Sequence, residues 1–158
     1  MTQTTSPYKT SPALAANGAV AMFHYSDLRR FLDQLEWSLR QEAALVRLYG
    51  SLLKLAPEDA CSRQLQELLA EDRKHYVLLE DLFRELRGRD PLVRPEPAET
   101  FDCYEDGARK AIAMALEAAK RYRDTYLLTP SPRVRDIFFL TMTDETDHVA
   151  RLWLSLRN

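Results

Sequence analysis

The chain has 158 residues with 22 basic and 24 acidic side chains, a formal net charge of −2 and 46% hydrophobic residues. That length suits one compact domain with a real core, and the balanced charge offers no basic field to a nucleic-acid or anionic-membrane partner. The two cysteines, Cys61 and Cys103, form no CxxC pair, which excludes a zinc ribbon, a rubredoxin-type iron site and a disulfide framework and fits a reducing cytoplasm.

Residues 1–24 are rich in Thr, Ser, Pro and Ala without helical period and are expected to form a flexible tail. The stretch 13–22 resembles a secretory apolar segment, but Asn17-Gly18 interrupts it and only Lys9 precedes it, so a cytoplasmic location is expected. No apolar run approaches the roughly 18 residues that span a bilayer. From residue 25 to 158 a single helical domain is expected. Pro57 breaks its first segment from its second, Pro91, Pro95 and Pro97 fill the next gap, and Pro130 and Pro132 open the last segment. Four uninterrupted helices fit between these breaks, about 26–54, 58–87, 101–128 and 133–157. Ser26-Asp27 is a candidate first N-cap, and Pro57-Glu58-Asp59 places proline and acids at a helix start. Strand patterns are absent. The fold class is therefore all-α, a four-helix bundle.

Stepping residues by about 100° puts Leu28, Leu32, Leu35, Leu39, Val46 and Leu53 on one stripe of the first helix. The second carries Leu65, Leu69, Tyr76, Leu79 and Phe83. The third carries Ala111, Ala115, Ala118, Tyr122 and Tyr126, and the fourth Val134, Ile137, Thr141, Leu152 and Leu156. Ionisable residues interrupt three of these stripes: Glu42 between Leu39 and Val46, Asp72 and His75 around Tyr76, and Glu145 and His148 between Thr141 and Leu152. An isolated carboxylate in such a place costs several kcal/mol or is forced to protonate. A cation that accepts carboxylate oxygen and imidazole nitrogen together removes that cost.

Asp72-Arg-Lys-His75 and Glu145-Thr-Asp-His148 are both acid-x-x-His, which places oxygen and nitrogen one turn apart on one helix face. One such motif is commonplace; two on buried faces, with a buried glutamate on the first helix, are specific. The segments 42–49 and 68–75 also parallel 119–126 and 141–148, as duplicated helical hairpins around a shared centre would. On these residues the chain resembles the ferritin-like superfamily, and within it the rubrerythrin-like di-iron carboxylate proteins, whose pattern is one glutamate from each of two helices and a Glu-x-x-His from each of the others.

The resemblance covers roughly 25–157. It implies a ferritin-like bundle with a long connection between helices 2 and 3, and metal ligation by Glu42, Asp72, His75, Glu145 and His148. It further implies two iron ions, with manganese or zinc as alternatives, and ferroxidase or peroxide- and O2-reducing chemistry in iron handling or oxidative-stress defence. O2 or hydrogen peroxide would be the small-molecule substrate, with an electron donor that the sequence does not name. Three departures stand out. Asp72 replaces the usual glutamate. No paired CxxC marks a rubredoxin domain. The helix 3 ligand is missing, because matching Tyr126 to Tyr49 puts Ala119 where Glu42 would recur, while Glu117 points away and Glu105 lies several turns too early.

The connection from about residue 84 to 103 reaches some 60 Å if extended, against about 42 Å of helix rise to be crossed. A parallel helix 2–helix 3 arrangement is thus feasible, and an up-down-up-down bundle stays open. Tyr49, Tyr122 and Tyr126 are core aromatics or hydrogen-bonding partners of the ligands. Trp37, opposite the first stripe, is an exposed aromatic or a homodimer contact. The competing reading is a degenerate bundle that holds one structural Fe, Mn or Zn, or none, and serves as an interaction module.

Overall fold

The computed structural model describes residues 25–94 and 96–157; the expected tail over 1–24, His24 and Pro95 lie outside the described residues. Four α-helices follow one another: α1 (Tyr25–Leu52), α2 (Asp59–Arg87), α3 (Tyr104–Leu128) and α4 (Pro132–Ser155), with a short 3-10 turn, Leu53–Leu55, after α1. No strand occurs among the described residues. Strong helix formers (Leu, Ala, Glu, Arg, Gln) fill these segments, and the prolines fall at or outside their ends. Pro132 takes the first turn of α4, where its missing N–H is no loss. Glu58 is the N-cap of α2 in extended conformation, with Asp59 in the first turn. The proposed cap at Ser26-Asp27 is displaced: α1 already includes Tyr25, and Asp27 lies within its first turn. At the other end of α2, Gly88 adopts φ 64° and its N–H reaches the Arg84 carbonyl at 2.8 Å, a left-handed stop that costs glycine little.

Two apolar clusters fix the topology. One joins Phe31, Leu35 and Leu39 of α1, Leu79, Leu82 and Phe83 of α2, Ala118 and Tyr122 of α3, and Val134 and Phe138 of α4. The other joins Leu45 to Leu52 of α1, Leu65 and Leu68 of α2, Tyr104, Ala108 and Ala111 of α3, and Leu152 of α4. Helices α1 and α4 therefore run from the first cluster to the second, and α2 and α3 run back. The parallel α2–α3 arrangement holds, and the up-down-up-down alternative does not. Residues 88–103 carry the chain between the two ends: Val93 packs on the first cluster and Phe101 on the second. Arg47 Nη1 donates to the Glu96 carbonyl at 2.7 Å, and Lys110 Nζ pairs with Glu99 at 3.1 Å, holding this connection along the bundle.

Small residues bring α3 against α1. A methyl group on Gly107 would lie 2.6 Å from Leu52 Cδ2 and 2.8 Å from the Phe101 ring, so any side chain there would force those two to shift. Helices α2 and α4 are neighbours that approach each other much less closely than α3 and α4 or α1 and α2 do.

The expected stripes are right for α2, α3 and α4 within a residue or two and rotated for α1. Leu28, Leu32, Val46 and Leu53 are half-buried flanks, while Phe31, Leu45, Leu48, Tyr49 and Leu52 form the core. Trp37 is not an exposed aromatic. It is half-buried edge-on to Tyr122, with ring centroids 6.3 Å apart, and the Arg121 guanidinium covers it at 4.1 Å.

Candidate metal centre

Between the two apolar clusters lies a layer without leucine or phenylalanine. Glu42, Asp72 and Glu145 are wholly buried there, with His75 and His148 beside them. Helical spacing places them: Glu42 falls between Leu39 and Leu45, the Asp72/His75 pair between Leu68 and Leu79, and the Glu145/His148 pair between Phe138 and Leu152. Each imidazole turns its Nδ1 inward. His75 Nδ1 is 3.6 Å from Glu42 Oε2, 3.7 Å from Asp72 Oδ1 and 3.6 Å from Glu145 Oε1. His148 Nδ1 is 3.3 Å from Asp72 Oδ1 and 3.8 Å from Glu145 Oε2. The two rings lie nearly parallel with centroids 6.1 Å apart.

The outward nitrogens have partners of their own. His75 Nε2 bonds Asp144 Oδ2 at 2.8 Å and His148 Nε2 bonds Glu71 Oε2 at 2.7 Å, each reaching across to the opposite hairpin. A carboxylate on Nε2 fixes the proton there and frees Nδ1 as a lone-pair donor, as in carboxylate–histidine–metal triads. The sequence reading passed over Glu71 and Asp144. The only signal was the recurring acidic pair, Glu71-Asp72 and Asp144-Glu145, directly before x-x-His. Arg151, which also approaches Glu67, stands 3.7 Å from Glu71 and ties it to α4.

The charge balance is strained without a cation. Burial raises the Glu42 carboxyl above its ordinary range, and burial with the Glu42 and Asp72 charges lifts Glu145 well above its own. Burial opposes protonation of His75, yet the Glu145 and Glu42 carboxylates facing its Nδ1 push it up to about 11. Burial likewise opposes protonation of His148, and Asp72 and Glu145 push it up to about 9. Metal-free, the protein thus holds protons where a divalent cation would sit. Glu42 Oε2, both oxygens of Asp72 and of Glu145, and Nδ1 of both histidines lack a hydrogen-bond partner while buried. Such orphans are rare in native interiors and call for an ion or water. Ligand atoms of Glu42, Asp72, His75 and Glu145 lie within 4.8 Å of one another, and mixed oxygen and nitrogen donors suit iron, manganese or zinc. The residues fit a metal.

The two hairpins superimpose in sequence at a constant displacement of 73 positions: Asp72 on Glu145, His75 on His148, Glu71 on Asp144, Tyr49 on Tyr122 and Pro57 on Pro130. Buried positions follow the same displacement, with Phe31, Leu35, Ser38, Glu42, Leu45, Tyr49 and Leu52 matching Tyr104, Ala108, Ala111, Ala115, Ala118, Tyr122 and Thr125. This corrects the expected location of the absent ligand. Ala119 is only half-buried; the counterpart of Glu42 is Ala115, which is wholly buried. The fault lay in pairing Tyr49 with Tyr126, one turn beyond its true equivalent. Glu117 is on the surface, 3.1 Å from Arg121, and Glu105 is exposed in the first turn of α3.

The tyrosines divide accordingly. The Tyr122 hydroxyl donates to Glu42 Oε1. The Tyr49 hydroxyl is buried without a partner, its ring edge-on to His148 at 6.3 Å. Burial and the surrounding carboxylates raise both phenols well above the ordinary value. Tyr126 does not serve the site. Its hydroxyl accepts from Arg135 Nη2 at 2.9 Å, and that guanidinium covers its ring.

The loosely packed side of the bundle carries a pocket that borders the site. Val77, Leu78, Leu140, His75 and Asp144 line a largely apolar pocket of about 740 Å³ between α2 and α4, whose inner wall is the His75–Asp144 pair.

In architecture the chain is similar to the bacterioferritin-related protein of Bacteroides fragilis, described as a dodecameric thioferritin, with a TM-score of 0.72 and 19% identity over 82% of this chain and 85% of that one. It is similar also to a conserved hypothetical protein of Mycobacterium tuberculosis, with a TM-score of 0.69 and 19% identity over 92% of this chain and 93% of the other. A two-domain protein of Anabaena variabilis containing DJ-1/ThiJ/PfpI-like and ferritin-like domains aligns over 80% of this chain and 39% of its own length, with a TM-score of 0.64 and 15% identity. The fold is ferritin-like. No protein-family model matches the sequence, and no curated protein does. At these identities the ferritin-like likeness speaks for architecture alone. No described helix is long and apolar enough to cross a membrane.

Proposed function

We propose that this ferritin-like protein is a non-haem iron protein with ferroxidase or peroxide- and O2-reducing activity. The observation that carries the reading is the convergence of buried, partnerless oxygen and nitrogen atoms from all five residues, with both imidazoles already oriented by outer carboxylates. Glu42, Asp72, His75 and Glu145 would hold one ion, and His148 with the Asp72 and Glu145 carboxylates a second. Bound iron would supply electron transfer between ferrous and ferric states to a small oxidant.

The chain's own residues do the rest. Asp144 and Glu71 hold the imidazoles in the ligating tautomer. Tyr122 orients the Glu42 carboxylate. The two apolar clusters exclude bulk water above and below the layer, and the pocket between α2 and α4 offers a small oxidant an approach to the His75–Asp144 side of the site. One structural neighbour is described as a bacterioferritin-related protein, which makes iron the ion to test first.

The test is ferrous titration of the metal-free protein under anaerobic conditions, followed by O2 or peroxide. Binding of about two ions per chain, with faster appearance of the near-ultraviolet absorption of oxo-bridged ferric iron than in protein-free buffer, is expected. Ferrous ions that bind but oxidise no faster than in buffer would leave a holder and not an enzyme. A second reading, one structural ion in an interaction module, is favoured by Ala115, and a stoichiometry of one inert ion would establish it.

A further inference from the structure

The 73-residue displacement makes the two halves of the site directly comparable, and at one position a group present in one half is missing from the other. On the α1–α2 side, Glu42 offers a carboxylate that receives the Tyr122 hydroxyl. On the α3–α4 side, the equivalent tyrosine, Tyr49, is wholly buried and its hydroxyl has no acceptor. The acceptor is lacking because Ala115 stands where Glu42 would recur. A buried hydroxyl without a partner is destabilising, and phenylalanine would avoid it. His148 beside it turns Nδ1 inward, so the half-site retains its imidazole, its outer carboxylate and its tyrosine donor, and lacks only the anion between them.

Resting on the metal reading above, we propose that the half-site at His148 takes that anion from solution: a small carboxylate-type oxyanion of the formate, acetate or bicarbonate class, accepted by the Tyr49 hydroxyl and completing the second metal position in place of a protein glutamate. The chemistry follows from the symmetric half. A phenol that meets a carboxylate oxygen on one side presents the same donor on the other, and hydrogen bonds from a neutral donor to an ionised oxygen are among the stronger ones. Three carboxylates already surround the site, so the anion binds only with the second cation present. Metal and anion are therefore linked ligands, each raising the other's apparent affinity. The second metal position is then conditional on solution composition, whereas the first is complete within the chain.

The experiment titrates metal-free protein with Mn(II) or Zn(II) by calorimetry, in chloride buffer and then with formate, acetate or bicarbonate added separately. The first ion should bind alike in all buffers. The second should tighten with anion concentration, about tenfold when the anion stands at ten times its own dissociation constant; the rank of the three anions identifies the source. Ala115→Glu should bind the second ion tightly without added anion and lose the dependence. Tyr49→Phe, which removes one hydroxyl from an otherwise unchanged core, should keep the second ion but weaken the anion effect several-fold, so the inference stays testable if the buried glutamate prevents folding. A second ion that ignores all three anions in the parent protein overturns this proposal and leaves the metal reading intact. So does a ferric-loaded protein whose visible phenolate-to-iron band vanishes in Tyr49→Phe, since Tyr49 would then be the ligand itself. Failure to bind any metal overturns the metal reading, and this proposal with it.

Discussion

The α1–α2 hairpin and the α3–α4 hairpin carry nearly the same pattern of buried positions, the same tyrosine, the same histidine and the same outward acid, and they part at Glu42 against Ala115. What the repeat keeps in the core is burial and not residue identity, and what it loses in the ligand set is one carboxylate. Apolar positions in the two halves exchange Phe31 for Tyr104 and Leu45 for Ala118 and still pack. Exchanging a glutamate for an alanine changes neither helix nor topology, and it removes one carboxylate from a buried cluster of charged side chains. The second difference, Asp72 against Glu145, shortens one carboxylate by a methylene without removing it.

Three measurements break or sharpen this comparison. The largest effect belongs to the histidines. His75→Ala should abolish tight metal binding, because it dismantles the four-residue group of Glu42, Asp72, His75 and Glu145. His148→Ala should lose only the weaker ion, and metal analysis of both variants tests the ranking. Equal losses would mean that the halves are functionally symmetric despite Ala115.

Next come the outer carboxylates. Asp144→Asn should weaken the ion at His75 and Glu71→Gln the ion at His148, each by about 10–100-fold, read by competition with a chelator. The smallest contrast is between the tyrosines in metal-free protein. Tyr122→Phe leaves Glu42 Oε1 without its donor and should cost about 1–3 kcal/mol, whereas Tyr49→Phe removes a hydroxyl that has no partner and should leave stability unchanged or raised. Denaturant unfolding of the two variants decides it, and equal losses would show that the Tyr49 hydroxyl has an acceptor in solution.

Sequence alone reached the bundle and the five charged residues because burial of charge breaks an apolar stripe visibly, and proline spacing marks helix ends. It misplaced the absent ligand because Tyr122 and Tyr126 sit one turn apart on the same face of α3, and helical period cannot tell which of them matches Tyr49. The rotation of the α1 stripe has the same origin: Leu, Val and Phe occur on too many sides of that helix for their spacing to fix the phase. Glu71 and Asp144 were invisible for a different reason. Acids at a half-exposed helix position look like solvated surface until the imidazole of another helix, 77 or 69 residues away, is seen to meet them. Trp37 was taken for a surface residue because its shield, Arg121, comes from α3.

The crossed pairs, His75 with Asp144 and His148 with Glu71, span α2 and α4, the adjacent helices that pack most loosely in the bundle. Where leucine does not lock α2 to α4, charge does, and it does so twice in opposite senses. Sliding one helix past the other by a single residue would pull both acids off their imidazoles at once and swing both inward nitrogens away from the centre. Longitudinal alignment of the two hairpins and readiness to coordinate are thus one mechanical variable, so a change that loosens the metal should also let the helices slip.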